Sequence, residues 1–115
     1  PDLVSENVDL LASQANLRAS IVEWAKEHVG ADRALTLYMM DLGSPDKFYL
    51  DRLRGESFTP ADLNEWITEL EETVPGIKVN VIIDACYSGS FIAGDQSIVG
   101  EDRVVITSTD ATHLA

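Results

Sequence analysis

Apolar positions recur along this chain with two periods, and the alternation between them sets the expected fold. Leu17, Ile21, Trp24, Ala25 and His28 fall at three- and four-residue spacing, which predicts an amphipathic helix with these residues on its inner face and Gly30 as its stop. Residues 34–40 are too short and too continuously apolar for a surface helix and read as a buried strand that ends at Asp41. Residues 41–46 are dense in turn formers; Phe48, Tyr49 and Leu50 then read as a short strand and residues 52–56 as a loop. A second helix has clear borders: Thr59 as N-cap, Pro60 at the first helical position and Asp62 three residues after the cap. Leu63, Trp66, Ile67, Leu70 and Val74 supply its buried stripe, and Pro75 and Gly76 end it. Residues 78–84 and 103–108 read as two further buried strands, the first entering a turn of small residues around Cys86, the second trailing into residues 109–115.

Apolar strands alternating with amphipathic helices, without two-residue hairpin turns between the main strands, predict an α/β fold whose mainly parallel sheet is covered by helices. In such sheets ligands bind at the carboxyl ends of the strands. The segments beginning at Asp41, Asp84 and Thr109 therefore share one edge, and Cys86 and Gly43 are expected to be neighbours. Three strands are few and the first helix has no strand before it, so residues 1–115 read as a single but partial domain. The start at Pro1, without Met or a charged-then-apolar leader, reads as a processed piece whose targeting signal, and hence location, is not legible.

Composition narrows the partners. With 45% hydrophobic and 24% charged residues the chain is built as a globular protein, and no window approaches the length of a membrane span. Its net charge of −12, from 20 acidic and 8 basic side chains, repels a phosphate backbone, so nucleic acid is not an expected partner, while basic peptides are attracted. A single cysteine forms no internal disulfide; it is either a small buried residue or a chemical group, and a cysteine in a turn after a buried strand is well placed to be a nucleophile. One Cys and two distant His have no zinc spacing, the scattered acids make no calcium loop, and no cofactor is expected.

Residues 81–91, Val-Ile-Ile-Asp-Ala-Cys-Tyr-Ser-Gly-Ser-Phe, resemble the nucleophile strand of the legumain, clostripain, metacaspase and caspase superfamily of cysteine peptidases. The resemblance extends over about Asn16 to Thr109 and is closest to bacterial legumain-like members. It implies a three-layer caspase-like sandwich, truncated at both ends, with Cys86 as nucleophile and a peptide or protein as substrate. It also implies that the N–H of Gly43 joins that of Cys86 in an oxyanion hole. Asp84 would line the pocket for the residue before the cleaved bond, favouring Lys or Arg by a charge-assisted pair, with Asn as the legumain-like alternative.

The departure is Leu42, which stands where the resemblance calls for the catalytic histidine. A thiol of ordinary pKa, about 8.5, is only a few per cent thiolate at pH 7, and a positioned acid–base group contributes about 10²- to 10⁴-fold. A folded site with little or no turnover is the expectation. Gly43, Asp84, Cys86 and Gly89 still fit the active pattern, which favours a His-to-Leu change in an otherwise working site over a module kept only to bind peptides. Of the two histidines, His28 reads as a packing residue on the first helix, and His113, in the terminal segment, as solvent-exposed with a minor claim to reach Cys86.

Asp46, Lys47, Arg52 and Arg54 read as solvated loop charges, with self-cleavage after a basic residue as a superfamily habit to bear in mind. A different class, a phosphoacceptor signalling domain with Asp84 as acceptor and Thr107 or Ser108 as the downstream hydroxyl, would need a later lysine; none occurs after Lys78. Exposed sheet edges make self-association possible.

Overall fold

The computed structural model describes residues 10–115; the reading of the chain's start at Pro1 lies outside them. The first helix, α1 (Gln14–Ala19), is capped by Ser13, whose hydroxyl accepts from the N–H of Asn16, and continues into a π-helical turn (Ser20–Trp24) and a 3₁₀ turn (Ala25–Glu27). The wide turn, closed by a bond from Ala25 N–H to the Ser20 carbonyl, shifts the phase of every residue after it. Ile21, Val22 and Ala25 are buried as a result, whereas Trp24 is more than half exposed and His28 lies in solvent, stacked on the Trp24 ring at 4.2 Å. The expectation that Trp24 and His28 face the core is thus corrected, because a strict 3.6-residue period does not run through this helix.

Six strands come next in chain order: β1 (Leu35–Met40), β2 (Gly43–Ser44), β3 (Lys47–Asp51), β4 (Glu56–Phe58), β5 (Val79–Asp84) and β6 (Arg103–Thr107). β1, β5 and β6 form a parallel sheet in the order β1-β5-β6, with Met40 opposite Asp84 and Ile83 opposite Thr107. β2, β3 and β4 form a small antiparallel sheet, placed in the chain between β1 and the second helix. That helix, α2 (Pro60–Thr73), has the expected capping box: Asp62 N–H donates to the Thr59 hydroxyl at 3.2 Å and Thr59 N–H to the Asp62 carboxylate at 2.9 Å. Leu63, Trp66, Ile67 and Leu70 are buried as predicted.

One core joins these elements. Ile21, Val22 and Ala25 meet the α2 stripe and the inward side chains Leu35, Met39, Val79, Val81 and Ile83 of the sheet. An aromatic group built around Phe58, with Phe48 at 5.2 Å, Phe91 at 5.7 Å and Trp66 at 5.8 Å, ties the small sheet to α2 and to the segment after β5. Among the described residues nothing covers the other face of the parallel sheet: Tyr38, Met40, Val104 and Ile106 are each more than half exposed. The strands alternate in and out along their length. Strand 34–40 was expected to be buried throughout; among the described residues helices cover one face only, so two of the three predicted layers are present.

Candidate active site

β5 is the central strand, so the segment leaving its end is flanked on one side by the exit of β1 and on the other by the exit of β6. Asp84 closes the strand, and its carbonyl accepts from the N–H of Asp41 at 3.3 Å, which draws the β1 exit alongside residues 84–86. By the strand's alternation the Asp84 side chain belongs to the open face, with Asn80 and Ile82. It is half-buried and has no hydrogen-bond or ion-pair partner among the described residues.

Cys86 comes two residues later, half-buried. Its neighbour Tyr87 takes a left-handed conformation (φ 58°, ψ 21°), uncommon for a residue with a side chain, and the chain then enters a 3₁₀ turn, Ser88–Phe91. This reverses direction within one residue of the cysteine. Phe91 drops into the aromatic core and holds the turn from below.

Gly43 packs flat against the turn. A Cβ at this position would run into the Cys86 carbonyl oxygen and lie 3.1 Å from the Ala85 Cβ, so only glycine lets the β1 exit come this close. The N–H of Tyr49 donates to the carbonyl of Leu42 at 2.9 Å, which makes Gly43 and Phe48 a non-hydrogen-bonded pair. In that register the Gly43 N–H is not used by β3. The N–H of Cys86 likewise has no acceptor among the described residues. Leu42, immediately before the glycine, is 47% exposed and so is not part of the core; its N–H is held by the Asp41 carboxylate at 2.7 Å. The turn after Ser44 is tied down too, by a bond from Asp46 N–H to the Ser90 hydroxyl at 2.9 Å.

On the other side, residues 108–113 zip onto residues 83–89. Ser108 N–H donates to the Ile83 carbonyl, Gly89 N–H to the Asp110 carbonyl, and Tyr87 N–H to the His113 carbonyl at 2.9 Å. Two hydroxyls add to the seam: Ser108 accepts from Ala85 N–H and the buried Ser88 accepts from Thr109 N–H. Gly89 is needed for the same reason as Gly43, since a Cβ there would strike the backbone of Asp110 and Ala111. The His113 ring nitrogen Nδ1 lies 2.7 and 2.8 Å from the two carboxylate oxygens of Asp110. This contact first, and the Thr112 N–H second, hold the Asp110 carboxyl down at about 2.

The structure therefore brings together Cys86, Leu42, Gly43 and Asp84, as the strand order requires, and adds Asp110, Ser88, Ser90 and Ser108 around them. Of these, Ser88 stands in the sequence pattern around Cys86, and Ser108 carried a different role, as a phosphoacceptor-site hydroxyl. For Asp110 and Ser90 the only signal was a hydroxyl or Asx residue within a few positions of a strand end, too common to stand out. His28 follows the 3₁₀ turn Ala25–Glu27, remote in the chain from all of these. Thr107 and Ser108, the hydroxyls a phosphoacceptor site would need, are engaged with backbone groups of Thr109 and Ala85. The described helices include none long and apolar enough to cross a membrane.

A parallel sheet whose central strand delivers a half-exposed cysteine into a tight turn, between a glycine from one neighbouring strand exit and a hydrogen-bonded loop from the other, defines a cysteine-peptidase-like α/β domain. The model of the Peptidase C13 family matches residues 24–113, and the chain belongs to that family. No curated protein matches the chain.

Proposed function

We propose that this domain is a legumain-type cysteine endopeptidase site that recognises peptides with Lys or Arg before the scissile bond, Asn being the alternative, and that Leu42 leaves it without its general acid–base. The observation that carries this reading is the packing of Gly43 on the Cys86 main chain, which keeps residue 42 close to the cysteine turn. In the chemistry envisaged, the Cys86 sulfur attacks the peptide carbonyl. The developing oxyanion is met by the N–H groups of Cys86, which has no acceptor among the described residues, and of Gly43, which β3 does not use. The half-buried Asp84 carboxylate, without a partner among the described residues, attracts a cationic side chain and disfavours an acidic one. Leucine neither takes the thiol proton nor delivers one to the leaving amine, so turnover is low in the chain as it stands.

The test is to install the missing group by Leu42→His and assay peptides carrying Lys, Arg, Asn or Glu before the cleaved bond. Because Leu42 is half exposed, the change removes no core packing. Cleavage of the basic or Asn peptides, with Glu refused, is expected; no cleavage of any of them by a folded protein would overturn the proposal. A module that binds peptides without cutting them is the second reading, and it predicts tight peptide binding that Leu42→His does not convert into cleavage.

A further inference from the structure

Leu42 empties one flank of Cys86; the other flank holds a histidine. The carbonyl of His113 accepts the N–H of Tyr87 at 2.9 Å, so the backbone of residue 113 is fastened one residue from the cysteine, on the β6 side, opposite the β1 exit. Its imidazole is 71% exposed yet not adrift, since Nδ1 is held by both Asp110 oxygens and lies 3.1 Å from the Thr112 hydroxyl. A carboxylate on Nδ1 fixes the tautomer with the proton there and leaves the lone pair on Nε2, the arrangement that makes a neutral imidazole a base. Asp110 is itself fastened to the site: its carbonyl accepts from Gly89 N–H, and its backbone fills the space a Gly89 side chain would need. The Asp110 carboxyl, held down at about 2 by His113 and the Thr112 N–H, is ionised from pH 5 upward. The backbones of an acid and a histidine are thus fastened to the turn that carries the thiol, with the histidine from a strand exit other than the one occupied by Leu42.

We propose that His113, on the flank away from Leu42, takes the thiol proton of Cys86, that Asp110 is the positioning residue that holds it, and that the proton for the leaving amine, which residue 42 would deliver, is still not supplied. The proposal rests on Cys86 being the nucleophile. In the step, Nε2 of His113 takes the Sγ proton, the S–H bond breaking as the N–H bond forms, and Asp110 stabilises the resulting imidazolium. The thiolate then reacts with an electrophile. With iodoacetamide the sulfur forms a C–S bond to the methylene carbon as the C–I bond breaks and iodide leaves.

The experiment is the rate of single-site alkylation of Cys86 by iodoacetamide, followed by mass from pH 5 to 10, in the parent chain and in His113→Gln, His113→Ala and Asp110→Asn. His113 and Asp110 are exposed side chains, and the carbonyl bonds they contribute to the turn survive substitution, so the variants keep the fold. A tenfold or greater loss of rate at pH 7 in both His113 variants is expected, with the rate–pH profile displaced to higher pH and a smaller loss in Asp110→Asn. Superimposable profiles in parent and His113 variants would overturn the proposal. The assay needs no peptide cleavage. If Leu42→His restores cleavage while the alkylation profiles coincide, only the His113 proposal falls; if Leu42→His restores nothing, the peptidase reading falls instead.

Discussion

Any side chain at Gly43 would meet the carbonyl oxygen of Cys86, an atom that is part of the turn itself and cannot swing aside. Gly43→Ala must therefore push the β1 exit away from the cysteine or unwind the β2–β3 pairing. In a Leu42→His background it is expected to lower kcat/KM by at least 10²-fold, in keeping with the roughly 10²- to 10³-fold cost of losing one oxyanion donor. Steady-state kinetics on a basic peptide, with circular dichroism as the control for folding, check this; unchanged kinetics would remove Gly43 from the oxyanion hole. At this scale the sequence was informative where a residue has one plausible purpose. Cys86 stands out through its place in a strand-turn motif, whereas Gly43 and Leu42 are marked only by the family resemblance, and the structure adds the close approach that Gly43 permits. Asp110 did not stand out, because its role is written in a partner three residues on and in a loop that the fold brings from elsewhere.

Among the elements, α2 was legible from border to border: its capping box and apolar stripe are local, and both are realised. α1 was legible in place but not in phase, because a π-helical turn is set by how Ile21 and Val22 seat in the core and not by a sequence period. The start of β6 held another feature that periodicity misses. Arg103, with its side chain 5% exposed, bonds both oxygens of Glu71 on α2, and also the Asn64 side chain, the Thr68 hydroxyl and the Ile98 carbonyl. This network fastens the last strand of the sheet to the helix that covers it. Arg103→Met leaves the partly buried Glu71 carboxylate without its partner and is expected to destabilise the domain by about 3 kcal/mol in urea unfolding. Lys78→Met removes an exposed pair with Asp102 and should cost under about 1 kcal/mol. Equal effects would show that the Arg103 network contributes no more than a surface pair.

For the whole molecule, the sequence predicted a parallel sheet with one functional edge, and the order β1-β5-β6 has that form, with all three strand exits meeting around Cys86. It did not predict that one face of the sheet would stay open, since a continuous apolar run reads the same whether one or both faces are covered. Tyr38, Met40, Val104 and Ile106 form an apolar surface beside two strands, β1 and β6, that are edges among the described residues. Self-association through these edges is the expected consequence, opposed by a net charge of −12. Sedimentation velocity should show concentration-dependent dimers that Ile106→Lys abolishes; a monomer at all concentrations would contradict it.

In the function proposed above, Cys86 sits in a peptidase site from which one group, a histidine at position 42, is missing. The direct measurement is kcat/KM for Lys- and Arg-containing peptides in the parent chain, in Leu42→His and in Leu42→His combined with Cys86→Ala. A gain of about 10²- to 10⁴-fold on introducing the histidine is expected, with complete loss of that gain on adding the alanine. A folded Leu42→His protein no faster than the parent, or a gain that survives Cys86→Ala, would contradict it.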